Sequence, residues 1–172
     1  SVGKGEPLAA LNIRRADEIG QLAQSFEQME KNLRLDHLTQ LLKREAFFAQ
    51  IEFRRRRATD QMSGNYSLLF LDLDNFKFIN DHYGHATGDR VLAELGRRLQ
   101  TAVRRDDAAG RYGGDEFIVY LHGVQYAESV QQFCDKLRQA LELPLNIHIG
   151  LQVQIRVSIG VASYPQDGMD VD

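Results

Sequence analysis

Cysteine is nearly missing from this chain of 172 residues: Cys134 stands alone, which excludes an intrachain disulfide and fits a reducing compartment. Long apolar runs are missing as well. The longest, Phe117–Leu121, has five residues, against the ~20 that a membrane-spanning helix needs. No signal peptide is visible at the N-terminus. A large net charge is absent too, since 21 Lys and Arg face 24 Asp and Glu, for a balance of −3. Such a balance creates no global field to attract nucleic acid or an anionic membrane, so neither is expected as a partner. A nucleotide would need local cations and metal ions. There is no internal repeat and no low-complexity tract. What remains has the length and composition of one soluble domain with an accessory segment, able to bury a core without staples.

Ser1 to Pro7 is small and polar and reads as a linker. Asp17 suits a helix N-cap, with Glu18 in the first turn. From there Ile19, Leu22, Phe26, Met29 and Leu33 alternate spacings of three and four, a heptad seam with polar flanks. It suits pairing with a second copy; a surface helix packed on its own domain is the other reading. A second helix is expected from Arg44 to about Ala58, with Phe47, Phe48 and Ile51 inward. Its end, Arg54–Arg57, either complements the helix dipole in solvent or meets a phosphate or lipid. Ser67–Asp72 reads as a buried strand, followed by a loop and then a helix from about Thr87 with Val91, Leu92, Leu95, Leu99 and Val103 inward. Gly113-Gly114 is expected to turn a two-residue hairpin between Arg111–Tyr112 and Phe117–Leu121. Ala127–Leu141 is a further helix that takes Cys134 into the core as a small apolar residue. Val153, Ile155, Val157, Ile159 and Val161 alternate as one half-buried strand. The sum is an α/β domain of the α+β kind, with a central mixed sheet flanked by helices.

Two acidic constellations carry the chemistry. Asp72 and Asp74 end a strand and share one of its faces, and Lys77, Gly84 and Gly88 follow in a segment that could border phosphates near a helix start. The second is Arg111-Tyr-Gly-Gly-Asp115-Glu116-Phe117, where glycines allow close approach to a ligand and two acids sit at the lip of the turn. Each alone could be ordinary: a capped strand end, a solvated hairpin. If the two strands are neighbours, Asp72 and Asp115 meet and can hold magnesium, which takes few carboxylates and completes its shell with water and phosphate oxygens.

Taken together, Gly113-Gly-Asp-Glu-Phe117, Asp72-x-Asp-x-Phe-Lys77 and Asn80-Asp-x-x-Gly-His85-x-x-Gly-Asp89 resemble the GGDEF diguanylate cyclases. The resemblance covers residues 36–172 and implies a nucleotidyl-cyclase-like fold with the signature on a β-hairpin. It implies that two GTP are condensed into cyclic di-GMP with release of two pyrophosphates. Carried over by position, Asp72, the carbonyl of Leu73 and Asp115 would ligate Mg2+ or Mn2+. Asn80 and Asp89 would read guanine, with His85 at the substrate in the same segment. Lys77 would hold terminal phosphates, and Asp115 with Glu116 would assist deprotonation of the ribose 3′-hydroxyl. Arg111 would support the hairpin. Arg104 and Asp107 match the family's RxxD inhibitory site, with Asp107 accepting from guanine of the product, cyclic di-GMP. Each protomer binds one GTP, so a homodimer through the N-terminal helix is implied.

Residues 1–35 form the accessory segment, and Asp17–Met29 resembles the second helix of a HAMP signalling linker. That resemblance implies a cytoplasmic domain whose parent is anchored in the bacterial inner membrane by upstream segments. Two departures stand out. Leu38-Thr-Gln-Leu-Leu-Lys-Arg44 lacks the Gly, Pro and Asn of the family's Leu-Thr-Gly-Leu-Pro-Asn-Arg opening. The family's helix after the last strand, which brings basic residues to the phosphates, is not within these 172 residues. A catalytically weak domain that senses GTP or cyclic di-GMP beside a phosphodiesterase domain is therefore the alternative reading. A purely structural dimerisation module would leave both acid clusters idle.

Overall fold

The computed structural model describes residues 18–57, 64–124 and 126–165; the expected linker, the Asp17 cap and Ala58 lie outside them. They divide into two units, a helix α1 (Glu18–Arg34) and a body beginning at Leu35. No residue of α1 is buried: Ile19, Leu22, Phe26, Met29 and Leu33 are each more than half exposed.

The body is built on a five-stranded sheet in the order β1-β3-β4-β2-β7, from β1 (Leu42–Lys43), β3 (Ala108–Arg111), β4 (Glu116–His122), β2 (Tyr66–Asp74) and β7 (Arg156–Tyr164). Only β1 and β3 run parallel; the other neighbours are antiparallel, so the sheet is mixed. One face carries Leu69, Leu71, Leu73, Phe117, Val119 and Val157 into the main core. Against it pack α3 (Phe76–Tyr83), α4 (His85–Ala102) and α5 (Ala127–Leu141), through Phe76 and Ile79, Val91, Leu92, Leu95 and Leu99, and Val130, Cys134, Leu137 and Leu141. The other face carries Tyr66, Leu68, Ile118 and Tyr120, covered by Phe47 and Ile51 of α2 (Arg44–Arg57). Each stripe recurs at the period of its element, which is why the two sides close over one sheet.

Several expectations hold in detail. α5 spans the residues expected of it, and burial pushes the Cys134 thiol up, as for a core residue. The four arginines ending α2 are all engaged. Arg54 donates to the Asp106 and Asp107 carbonyls, Arg56 to Glu52, Arg55 lies over Tyr66 and Tyr164, and Arg57 over Phe53. These contacts are packing against the body and within the helix, and the four charges fall in its last turn, where they suit the helix dipole.

Three expectations need correction. The segment after Asp74, read as loop, is the helix α3, which starts from Asn75 in the left-handed region and stops at Gly84. The following helix starts at His85, two residues before Thr87. The alternating run 153–161 is not one strand: Val153 belongs to β6 (Leu151–Val153), which pairs with β5 (Leu145–His148) in a separate small sheet. Ile155 turns into the core between the two, and Val161 is 47% exposed.

Candidate active site

The register of β2 against β4 decides which acids meet. Asp72 stands opposite Glu116, and the Leu73 N–H donates to the Asp115 carbonyl at 3.2 Å. Directly opposed residues project to one face, so Asp72 and Glu116 rise together; Asp115 precedes Glu116 on the turn, with its backbone against that of Leu73. Phe70, Asp72 and Asp74 are exposed on that face while Leu71 and Leu73 are buried on the other. With its side chain in the core, Leu73 can serve the site only through its backbone. Asp74 is tied to β7, where Ser158 Oγ donates to its Oδ1 at 2.8 Å.

The hairpin differs from expectation. Four residues, Tyr112–Asp115, connect β3 to β4, and neither Gly113 nor Gly114 has a φ in the left-handed region. The tip is closed instead by Tyr112 and Gly113 N–H groups donating to the Glu116 carbonyl at 2.9 and 3.2 Å. A Cβ on Gly113 would stand 2.8 Å from Glu116 Oε2, whereas Gly114 faces open space. Arg111 holds the tip as expected: Nη2 donates to the Gly114 carbonyl at 2.8 Å and Nε to that of Gly113 at 3.2 Å. Its Nη1 donates to both Asp36 oxygens at 3.2 Å, a partner that sequence reasoning did not supply. Burial raises the Asp36 pKa, but hydrogen bonds from the Thr39 N–H and hydroxyl, with the Arg111 charge, outweigh it and hold the carboxyl below its ordinary value.

Lys77 lies in the first turn of α3, exposed. Free amides and the positive dipole end at that turn favour an anion. Asn80 is half-buried at the elbow between α3 and α4, where a Cβ on Gly88 would meet its Oδ1. Asp89 follows Gly88, and exposed His85 opens α4. No side chain among Asp72, Lys77, Asn80, His85, Asp89, Asp115 and Glu116 hydrogen-bonds or ion-pairs with another described residue. Asp36 and Asp107, by contrast, are bonded internally. Among the described residues no three His, Cys, Asp or Glu side chains form a metal cage. A pair of carboxylates without protein partners fits magnesium or manganese, whose remaining ligands are water and phosphate oxygens.

Arg104 and Asp107 sit at the other end of β3, roughly 15 Å away at about 3.3 Å per residue. Here the structure departs from the expected acceptor. The Asp107 side chain is fully buried, and its carboxylate takes the Arg104 N–H at 2.8 Å, Arg104 Nε at 3.0 Å and Nη2 at 3.1 Å, and the His122 N–H at 3.0 Å. Those bonds occupy the oxygens expected to meet guanine. Arg104 itself remains 58% exposed.

Comparison with known proteins decides the family. The profile described as "Diguanylate cyclase, GGDEF domain" matches residues 33–172. The chain belongs to the GGDEF family. Among curated relatives, this GGDEF domain is 45% identical over 127 residues to diguanylate cyclase DgcN of Escherichia coli, covering 74% of this chain and 31% of that protein. It is 35% identical over 131 residues to diguanylate cyclase TpbB of Pseudomonas aeruginosa, covering 76% and 30%. The solved GGDEF domain of TpbB superposes with a TM-score of 0.71 at 33% identity, over 77% of each chain. The coiled coil and GGDEF domain of DgcB from Caulobacter crescentus, in complex with c-di-GMP, gives 0.75 at 27% identity, over 88% of this chain and 80% of that one. The chain thus spans about a third of the length of the curated relatives it matches.

Proposed function

We propose that this GGDEF domain, paired with a second copy, condenses two GTP into cyclic di-GMP and two pyrophosphates. One observation carries the reading: the β2–β4 register sets Asp72 opposite Glu116, and the Leu73 backbone against that of Asp115, at one end of the two strands, and none of the three carboxylates has a partner within the described residues. Asp72, Asp115 and the Leu73 carbonyl would hold Mg2+ or Mn2+, which supplies charge neutralisation at the phosphates. Lys77, with the N-terminal amides of α3, binds phosphate oxygens and stabilises the charge growing on the leaving pyrophosphate. Asn80 and Asp89 read the guanine edge, and His85 borders the substrate. Such a site rejects adenine because its polar groups would be left unpaired.

In each half-reaction a ribose 3′-oxygen attacks the α-phosphorus of the other nucleotide, and the bond to pyrophosphate breaks. The hydroxyl proton passes toward the Asp115 carboxylate, with Glu116 beside it. Two such transfers close the ring, which requires two sites face to face and makes positioning the first requirement. The exposed seam of α1 supports a homodimer, and likeness to a HAMP helix supports a parent that relays a signal through it. Arg104 supports feedback by product, as does the complex of DgcB with c-di-GMP.

The test is chromatography of an incubation with GTP and Mg2+. The chain yields cyclic di-GMP, and Asp115→Ala lowers the yield at least a hundredfold while the protein stays folded. Tight binding of cyclic di-GMP without any synthesis would replace this reading with the sensing one.

A further inference from the structure

Gly88 lies buried in the first turn of α4, although glycine is a poorer helix former than alanine. Its φ is not in the left-handed region, so the backbone does not demand glycine there. The surroundings do. A Cβ on Gly88 would stand 1.8 Å from Asn80 Oδ1, 2.9 Å from Asn80 Cγ and 3.2 Å from the Phe76 ring. Phe76 belongs to the core, so of the two neighbours it is the Asn80 carboxamide that would have to move.

The main chain is fixed at the same elbow. The Gly84 N–H donates to the Asn80 carbonyl at 2.9 Å, and the Gly88 N–H to the Gly84 carbonyl at 3.2 Å. Gly84 makes the bend at φ 89 and ψ 159, a region open essentially to glycine alone. The Asn80 carbonyl is thus tied to Gly84, and its carboxamide occupies the space that a side chain at position 88 would fill. We infer that Gly88 is a positioning residue for base recognition, whose missing side chain seats the Asn80 carboxamide before a nucleotide arrives. The inference rests on the reading of Asn80 as a guanine contact. Preorganisation of this kind spares the ordering that a free amide would undergo on binding.

The test is a double-mutant cycle on the whole chain with Gly88→Ala, Asn80→Ala and both together. Binding is measured with Mg2+ and the α,β-methylene analogues of GTP and ATP, which cannot release pyrophosphate, and melting is followed in parallel. Gly88→Ala is expected to lose at least tenfold in affinity for the GTP analogue, and its preference over the ATP analogue falls to that of Asn80→Ala. The double variant binds no worse than Asn80→Ala and melts above Gly88→Ala, because alanine at position 80 vacates the space. If Gly88→Ala does not fold alone, folding of the double variant supports the same coupling. The inference is overturned if Gly88→Ala keeps its preference for guanine, or if the double variant melts as low as Gly88→Ala. Should Asn80→Ala itself keep that preference, the reading of Asn80 falls, while the melting temperatures still report on the clash separately.

Discussion

Gln40 occupies a left-handed conformation, φ 58, at the position where the family's opening pattern has glycine. The turn forms nonetheless because its hydrogen bonds are supplied locally. The Gln40 N–H donates to the Asp36 carbonyl at 2.8 Å, its Nε2 donates to that of His37, and Asp36 Oδ2 accepts from the Thr39 N–H and hydroxyl. A side chain in this region costs roughly 1–2 kcal/mol, and glycine returns part of that as extra freedom of the unfolded chain. Gln40→Gly is therefore expected to stabilise by about 0.5–1 kcal/mol, read as a higher urea midpoint; a lower midpoint would mean the Nε2 bond outweighs the strain. Asp36 anchors both this turn and Arg111. Its folded pKa is depressed, so its contribution is complete above the unfolded value, about 4, and fades as pH falls through the folded one.

The element that ties β3 to β4 behind the hairpin is the turn Arg104–Asp107. Asp107 is buried and accepts from two backbone N–H groups and one guanidinium, while Arg104 is largely exposed. Removing the carboxylate leaves those donors unpaired inside the protein. Asp107→Ala is expected to cost about 3 kcal/mol, whereas Arg104→Ala costs about 1 kcal/mol. Product feedback is therefore tested cleanly at Arg104 alone: Arg104→Ala should abolish cyclic di-GMP binding by calorimetry with little change in melting, and unchanged binding would remove the site. The orientation of Asp107 was not legible in Arg-Arg-Asp-Asp, because spacing names the residues of a turn but not which way a carboxylate faces. The same holds at the acidic edge. Asp72 and Asp115 could be picked from their motifs, but the Asp36–Arg111 pair joins residues 75 positions apart, and the gap over Gly88 exists only once α3 packs on α4. Among the elements, α4 and α5 were legible because each repeats an apolar stripe over several turns. In α3 only Phe76 and Ile79 are buried, and its Asn, Asp and His residues spell turn chemistry as readily as helix. The strand pattern 153–161 hid the break at Ile155 because period-two alternation survives a change of sheet.

On the scale of the whole molecule, one site cannot complete the proposed reaction, since each half-reaction takes its nucleophile from one nucleotide and its phosphorus from the other. Encounter of two bodies in free solution would make turnover second order in protein. A helix that pairs converts this into an intramolecular event governed by effective concentration. α1 has the means, since Phe26 and Met29, 56% and 55% exposed, lie mid-seam between Leu22 and Leu33. The seam runs barely two heptads, and short coiled coils are marginal, so dimerisation is expected to depend on concentration across the micromolar range. Phe26→Glu places a charge at the centre of each strand of the pair. It should shift sedimentation to the monomer and lower specific activity at least tenfold at low protein concentration, with affinity for the GTP analogue unchanged. Activity recovering as protein is raised would identify pairing as the lost step. A variant that stays dimeric, or a monomer as active as the parent at every concentration, would show that the two sites meet through the body of the domain and not through α1.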